Sequence, residues 1–298
     1  MRGRRRVNLR TRLAASVAVG VVLALAACTG EGTAPSQTTD AAAGLPEGVT
    51  VRVYQPRSDY AARIVDLSVT NGGSKALTVT GAEFTSPHFG GRAMFTGEVL
   101  LRPGLTRDLR VQLGDPVCSG ELGAPATLTV EWRMPDGRTA DATVSSPDDD
   151  TGAIDRIAAE DCLGEAIDSV LTVTPADILR IEGIGAASVA WIDLALTPTG
   201  APRSVTIDSV GSTILLDSPS GGGWPVATVI DGTGPQQTVS LDLRPARCDP
   251  HAIAEDKVGT VFPFAITTSA GPSGTWKLTV GNALRSQIYG WVAAYCGY

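Results

Sequence analysis

The sequence predicts an all-β protein: two tandem antiparallel β-sandwiches, the second an internal repeat of the first, behind an apolar leader and a flexible tether. Three observations point there. Short runs with apolar residues at alternate positions recur between turn residues, the pattern of strands with one buried face. Five segments of the first half reappear in the same order in the second. A cysteine also stands at the same two landmarks in each half.

The chain opens with Arg2, Arg4, Arg5, Arg6, Arg10 and Arg12, after which Leu13 to Ala27 carry no charge. That stretch of 15 residues is shorter than the roughly 20 a helix needs to span a bilayer, so it reads as a cleavable signal peptide. It ends in Leu25-Ala26-Ala27-Cys28, which resembles a bacterial lipoprotein signal. The resemblance implies cleavage ahead of Cys28, a lipid on Cys28, and a protein held on the extracytoplasmic face of the cell membrane. Arg5-Arg6-Val7-Asn8-Leu9-Arg10 also resembles a twin-arginine export signal, with Asn8 where a large apolar residue is usual, so the export route stays open.

Loss of residues 1–27 removes six of the 24 basic residues and none of the 31 acidic ones; 18 against 31 leaves the mature chain at −13. A surface of that sign does not attract nucleic acid or anionic lipid, so no nucleic-acid partner is expected. Residues 28–48 are rich in Gly, Ala, Ser, Thr and Pro without apolar periodicity, the composition of a flexible tether.

Strand-like runs follow at Val51–Tyr54, Ile64–Val69, Leu77–Val79, Leu109–Leu113 and Ala126–Trp132. Met134-Pro-Asp-Gly137 reads as a hairpin loop leading into Ala140–Val144, with Pro setting φ and Gly supplying a left-handed residue. In the second half Leu171–Pro175 matches Val51–Pro56, and Ile192–Thr197 matches Val65–Thr70. Val239–Cys248 matches Leu109–Cys118, each a strand running into a cysteine. The loop Ser269–Gly274 matches the hairpin at Met134, and Trp291–Cys296 matches Ile157–Cys162. Five matches in one order make this a duplication, with sandwich domains at 49–164 and 165–298. Short alternating strands repeated in this way resemble tandem immunoglobulin-like domains. The junction falls in Leu163–Ala166, a short linker that implies a stiff rod. Gly152–Cys162 reads as a short helix or a final strand: Ile154, Ile157 and Ala158 suit helical spacing, but the counterpart Ile288–Cys296 carries aromatics typical of strands, which favours a strand or distorted turn in both.

Four cysteines follow Cys28, and four allow three connectivities. Repeat symmetry pairs Cys118 with Cys162 and Cys248 with Cys296; pairing Cys118 with Cys248 and Cys162 with Cys296 is the alternative that would lock the domains together. Export makes oxidation possible. No two cysteines lie close together, so a thiolate metal site is not expected, and no cofactor is.

Little catalytic chemistry is visible. Two histidines, His88 and His251, follow Ser86-Pro87 and Asp249-Pro250 in loop-like settings. There is no Gly-x-Ser-x-Gly elbow and no P-loop. Asp148-Asp149-Asp150 is the sharpest acidic cluster and offers oxygen ligands of the kind Ca²⁺ takes, but the second repeat has no equivalent and a solvated loop explains it. Trp224, on the loop Ser220-Gly-Gly-Gly-Trp-Pro225, is the candidate contact residue for a partner or glycan; capping the end of its sandwich is the competing role. The expectation is therefore a non-enzymatic binding or scaffolding lipoprotein of the cell envelope, acting through strand edges and end loops on an envelope protein or glycan. The alternative is an accessory or catalytic module acting on cell-wall glycan.

Overall fold

The computed structural model describes residues 44–298 apart from Ala61, Leu122, Glu255 and Lys257. Cys28, the leader and most of the tether lie outside the described residues.

The first module begins with β1 (Val49–Tyr54), β2 (Ile64–Asn71), β3 (Leu77–Thr85) and β4 (Ala93–Leu101), and continues with β5 (Thr106–Gln112), β6 (Thr127–Arg133) and β7 (Thr139–Ser145). A three-stranded sheet, β1-β2-β5, faces a four-stranded sheet, β4-β3-β6-β7, with every pairing antiparallel. Alternation decides what each strand buries: Val49, Val51 and Val53 of β1, Val65, Leu67 and Val69 of β2, and Leu128, Val130 and Trp132 of β6 all enter one core. Each such apolar side chain contributes roughly 1.5–3 kcal/mol by leaving water.

The second module repeats this plan. Its strands are β8 (Leu171–Pro175), β9 (Arg180–Glu182), β10 (Val189–Pro198), β11 (Ser204–Val210), β12 (Leu216–Asp217), β13 (Trp224–Asp231), β14 (Gln237–Pro245), β15 (Val261–Thr268) and β16 (Ser273–Thr279). The order β8-β10-β14 reproduces β1-β2-β5, and β13-β11-β15-β16 reproduces β4-β3-β6-β7; β9 and β12 are additions beside β10 and β14. Even the irregularity is shared. Pairing slips past one residue between Val79 and Gly81 in β3, and between Ile207 and Ser209 in β11, a bulge at the equivalent place in each module. The protein is thus two tandem immunoglobulin-like antiparallel sandwiches, with the fourth strand lying beside the third. Gly137 (φ +88°) and Gly271 (φ +115°) supply the left-handed residues of the two corresponding hairpins.

Besides single 3₁₀ turns at Arg57–Asp59 and Gly185–Ala187, the described residues include three α-helices: α1 (Ala153–Asp168), the short α2 (Pro250–Ala254) and α3 (Asn282–Cys296). The segments expected to be strands or turns, Gly152–Cys162 and Ile288–Cys296, are therefore helical. In α3, Leu284, Ile288, Trp291 and Val292 are buried together, a spacing that only a 3.6-residue period places on one face. The junction is corrected too, because position 164 lies inside α1. Ile154, Ile157 and Ala158 enter the first core, while Leu163 and Ile167 enter the second. One continuous helix thus belongs to both modules in place of a linker.

Candidate functional site

α1 and α3 are each tied by disulfide to the segment that follows β5 or its counterpart β14. Cys118 bonds Cys162 and Cys248 bonds Cys296, each with a Cα–Cα distance of 5.3 Å. Of the three connectivities, the intramodular one is therefore present. At sequence separations of 44 and 48, each bridge stabilises its module by roughly 4 kcal/mol in the chain-entropy account.

Several of the candidates turn inward. Trp224 opens β13 with 4% exposure, donates from Nε1 to the Asp242 carbonyl at 2.6 Å, and lies 6.0 Å from the Phe262 ring. It is a core residue and offers no contact to a partner. The preceding loop explains why: Gly221, Gly222 and Gly223 all have positive φ, and the Asp217 carboxylate accepts the amides of Ser218, Gly222 and Gly223, which curls the loop back on its sheet. Burial raises the Asp217 carboxyl, but those three amides outweigh it and hold the group below the usual range. His88 is likewise buried, at 2% exposure, beneath the Cys118 segment, where its carbonyl accepts the Val117 amide at 2.8 Å. His251 lies exposed on α2.

The acidic cluster is structural. Both Asp149 carboxylate oxygens accept amides of the first turn of α1, from Ala153 and Ile154 at 2.9 Å, and the Asp148 carbonyl accepts the Val53 amide at 2.8 Å. Among the described residues, no group of three His, Cys, Asp or Glu side chains is arranged to hold a metal ion.

The arrangement with chemical consequence lies where each helix meets the connection between the first two long strands of its module. The matched cysteines set the alignment: Cys162 with Cys296 places Ile154, Ile157 and Ala158 opposite Ile288, Trp291 and Val292, all buried. It also places Arg156 opposite Gly290 and Glu160 opposite Ala294.

In the first module this junction is filled with polar side chains. The Arg156 guanidinium stacks on the Tyr60 ring at 4.3 Å and donates to the Gln55 side-chain carbonyl. Glu160 pairs with Arg156 at 3.3 Å and with Lys277 of β16 at 3.0 Å, a bond that crosses to the second module. Arg63, held at φ +53°, donates to Asp161 at 2.9 Å and to the Gly114 carbonyl at 2.7 Å. Burial raises the Asp161 carboxyl, and Arg63 opposes that shift.

In the second module the same junction is open. The connection is longer, residues 176–188 against 55–63, and it carries Ile178, Ile181 and Ile184 at 73%, 46% and 88% exposure. Between it and α3 runs a groove of about 450 Å³, with Ile181 and Ile184 on one lip, Gln287 and Trp291 on the other, and Gly290 and Ala294 along the helix. The polar groups in its walls are already engaged. Gln287 accepts the Leu179 amide at 3.1 Å and donates to the Asp177 carbonyl at 2.8 Å, while Trp291 Nε1 donates to Ser188 Oγ at 3.0 Å. An occupant therefore meets mainly apolar surface, and selectivity comes from shape and burial. Across α3, Tyr289 donates to Asp256 at 2.6 Å; burial first, then that bond, pushes its hydroxyl up to about 12.

An ion pair holds each connection to its sheet, with charges exchanged between modules. Asp59 binds Arg110 of β5 at 2.8 Å in the first module, and Arg180 binds Asp193 of β10 at 3.0 Å in the second. Asp193 is lowered by its bonds from Arg180 and Ser240. Its counterpart Asp66, 5% exposed with Oδ1 unpartnered, is raised by burial and then by Asp108.

The isoleucines of residues 176–188 were not singled out by sequence reasoning. The available signal was their setting, with three isoleucines at three-residue intervals among glycines in a connection longer than its counterpart.

No protein-family model matches this sequence, and no curated protein matches it. Solved structures with a similar fold include the YadV chaperone, 15% identical, with 78% of this chain and 100% of that one covered at a TM-score of 0.22. The E. coli chaperone DraB is 12% identical over 78% of this chain and 98% of its own, at a TM-score of 0.20. Red sea bream transglutaminase is 10% identical over 79% of this chain but only 31% of its own, at 0.23. At these scores the likeness carries no argument about function, and the fold assignment rests on the strand order.

Proposed function

We propose that this protein is a non-enzymatic binding or scaffolding lipoprotein, anchored through a lipid on Cys28 to the extracytoplasmic face of the cell membrane, which holds its partner at the α3 end of the second module. The observation that carries the reading is the open apolar groove at Gly290 and Ala294, where the first module is closed by Arg156 and Glu160. Exposed isoleucines beside a preformed apolar groove are costly in water unless something covers them. Leu25-Ala26-Ala27-Cys28 supports the anchor, and the two disulfides agree with an oxidising compartment. Among the described residues no helix is long and apolar enough to cross a membrane. The reading as a wall-glycan module loses Trp224, its one named contact, because that residue lies in the core.

Cross-linking on intact cells tests the proposal. It expects reproducible neighbours joined through residues 176–188 or 282–298, with the links lost in Gly290→Arg. Links scattered evenly over both modules contradict it. Cys28→Ala should release the protein into the medium; retention on the membrane would refute the anchor.

A further inference from the structure

We infer that the α3 end of the second module is a self-association surface, on which a second copy of the chain docks about a two-fold axis with Ile184 of each copy seated over Gly290 of the other. This rests on the reading of that groove as a contact site and names its occupant.

Shape is the first argument. One patch holds both a projection and a recess: Ile184 stands 88% exposed on the lip, and the floor beside it is formed by Gly290 and Ala294. Adjacent projection and recess are what an isologous contact needs, since each copy offers to the other what it receives.

Charge argues against a partner drawn by electrostatics and for a second copy. The mature chain has 18 basic against 31 acidic residues, so two copies repel over most of their surfaces. The two segments that build the groove carry Arg180 and Arg285 against Asp177 and Glu182 and so have no net charge. This end is thus one at which two such acidic bodies meet with less of that penalty than elsewhere, and it joins an apolar centre to charged neighbours of both signs, Arg180 being shared with Asp193.

The duplication supplies a precedent. On α1, the helix position equivalent to Ala294 already meets a sandwich module, through Glu160 and Lys277. In the second module β8 leads from α1 to the connection at 176–188, so the groove lies at the opposite end from α1 and is not covered by the first module.

The experiment places a photo-activated cross-linking residue at position 184 of the full-length chain, in cells producing two copies with different tags. A covalent product carrying both tags, joined to residues 286–297, is expected. Gly290→Arg should reduce it at least tenfold without lowering the melting temperature, since a Cβ added at position 290 meets nothing within 4 Å in the monomer and arginine is a better helix former than glycine. The same label at Val229, 60% exposed on β13, should give no such product. Capture of a different protein from position 184 would overturn self-association while leaving the binding function standing. No product at all would overturn both.

Discussion

The two modules differ least where their strands pair and most where their helices dock. Strand order, bulge position and disulfide placement are the same in both, yet one helix face carries Arg156 and Glu160 and closes its junction, while the other carries Gly290 and Ala294 and leaves a groove. Duplication preserves what the sandwich needs to fold. The positions that only line the junction are free to change, and in the second module they exchange polar side chains for space and exposed isoleucine.

The largest difference expected between the modules comes from loss of a disulfide. Cys118→Ser with Cys162→Ser removes roughly 4 kcal/mol from the first module in the chain-entropy account. Because α1 also enters the second core, amide exchange should rise in both modules. Cys248→Ser with Cys296→Ser should raise it in the second alone. Loosening of only the first module in the first variant would contradict a shared helix.

The same point is tested one side chain at a time. Ile157→Ala should cost about 2–4 kcal/mol and loosen the first core, and Leu163→Ala a similar amount in the second, although the two residues lie less than two helical turns apart. Thermal unfolding followed by exchange mass spectrometry separates the two effects.

A smaller contrast lies in the matched aspartates. Asp193 is lowered in the folded state, so its contribution is present at neutral pH and is lost as pH falls through its folded value. Asp193→Asn should therefore cost about 1 kcal/mol at pH 7 and little in strong acid. Asp66 is raised, so the folded state holds its proton longer, and stability declines as pH rises through its folded range. Asp66→Asn should stabilise at pH 7, the opposite sign, in denaturant titrations across pH. The smallest effect expected is from Gly290→Ala, a stabilisation of about 0.5–1 kcal/mol in melting, because an exposed helical glycine gives way to a better helix former.

The strands and the duplication were legible in the sequence because a period of two is visible in runs as short as Val51–Tyr54, and the cysteines supplied fixed landmarks. The helices were less so, with only the spacing of Ile154, Ile157 and Ala158 pointing to one. Along α1 the apolar residues divide between two cores, Ile154 and Ile157 toward one and Leu163 and Ile167 toward the other, so no single stripe marks the helix. In α3 the aromatics Tyr289, Trp291 and Tyr295 argued for a strand, and packing overrode that preference. Trp224 gave the reverse error. Glycines before a tryptophan look like an exposed loop, but here their positive φ values turn the ring inward. The groove depends on which residues of 176–188 face α3, a matter of three-dimensional docking that local pattern does not encode.

Hydrogen exchange of the full-length protein in detergent, measured across a range of protein concentrations, reads out whether a second copy covers the groove. Protection should rise with concentration at residues 176–188 and 286–294, stay constant elsewhere, and lose its concentration dependence in Gly290→Arg. Exchange at those residues that is the same at every concentration would rule out self-association there.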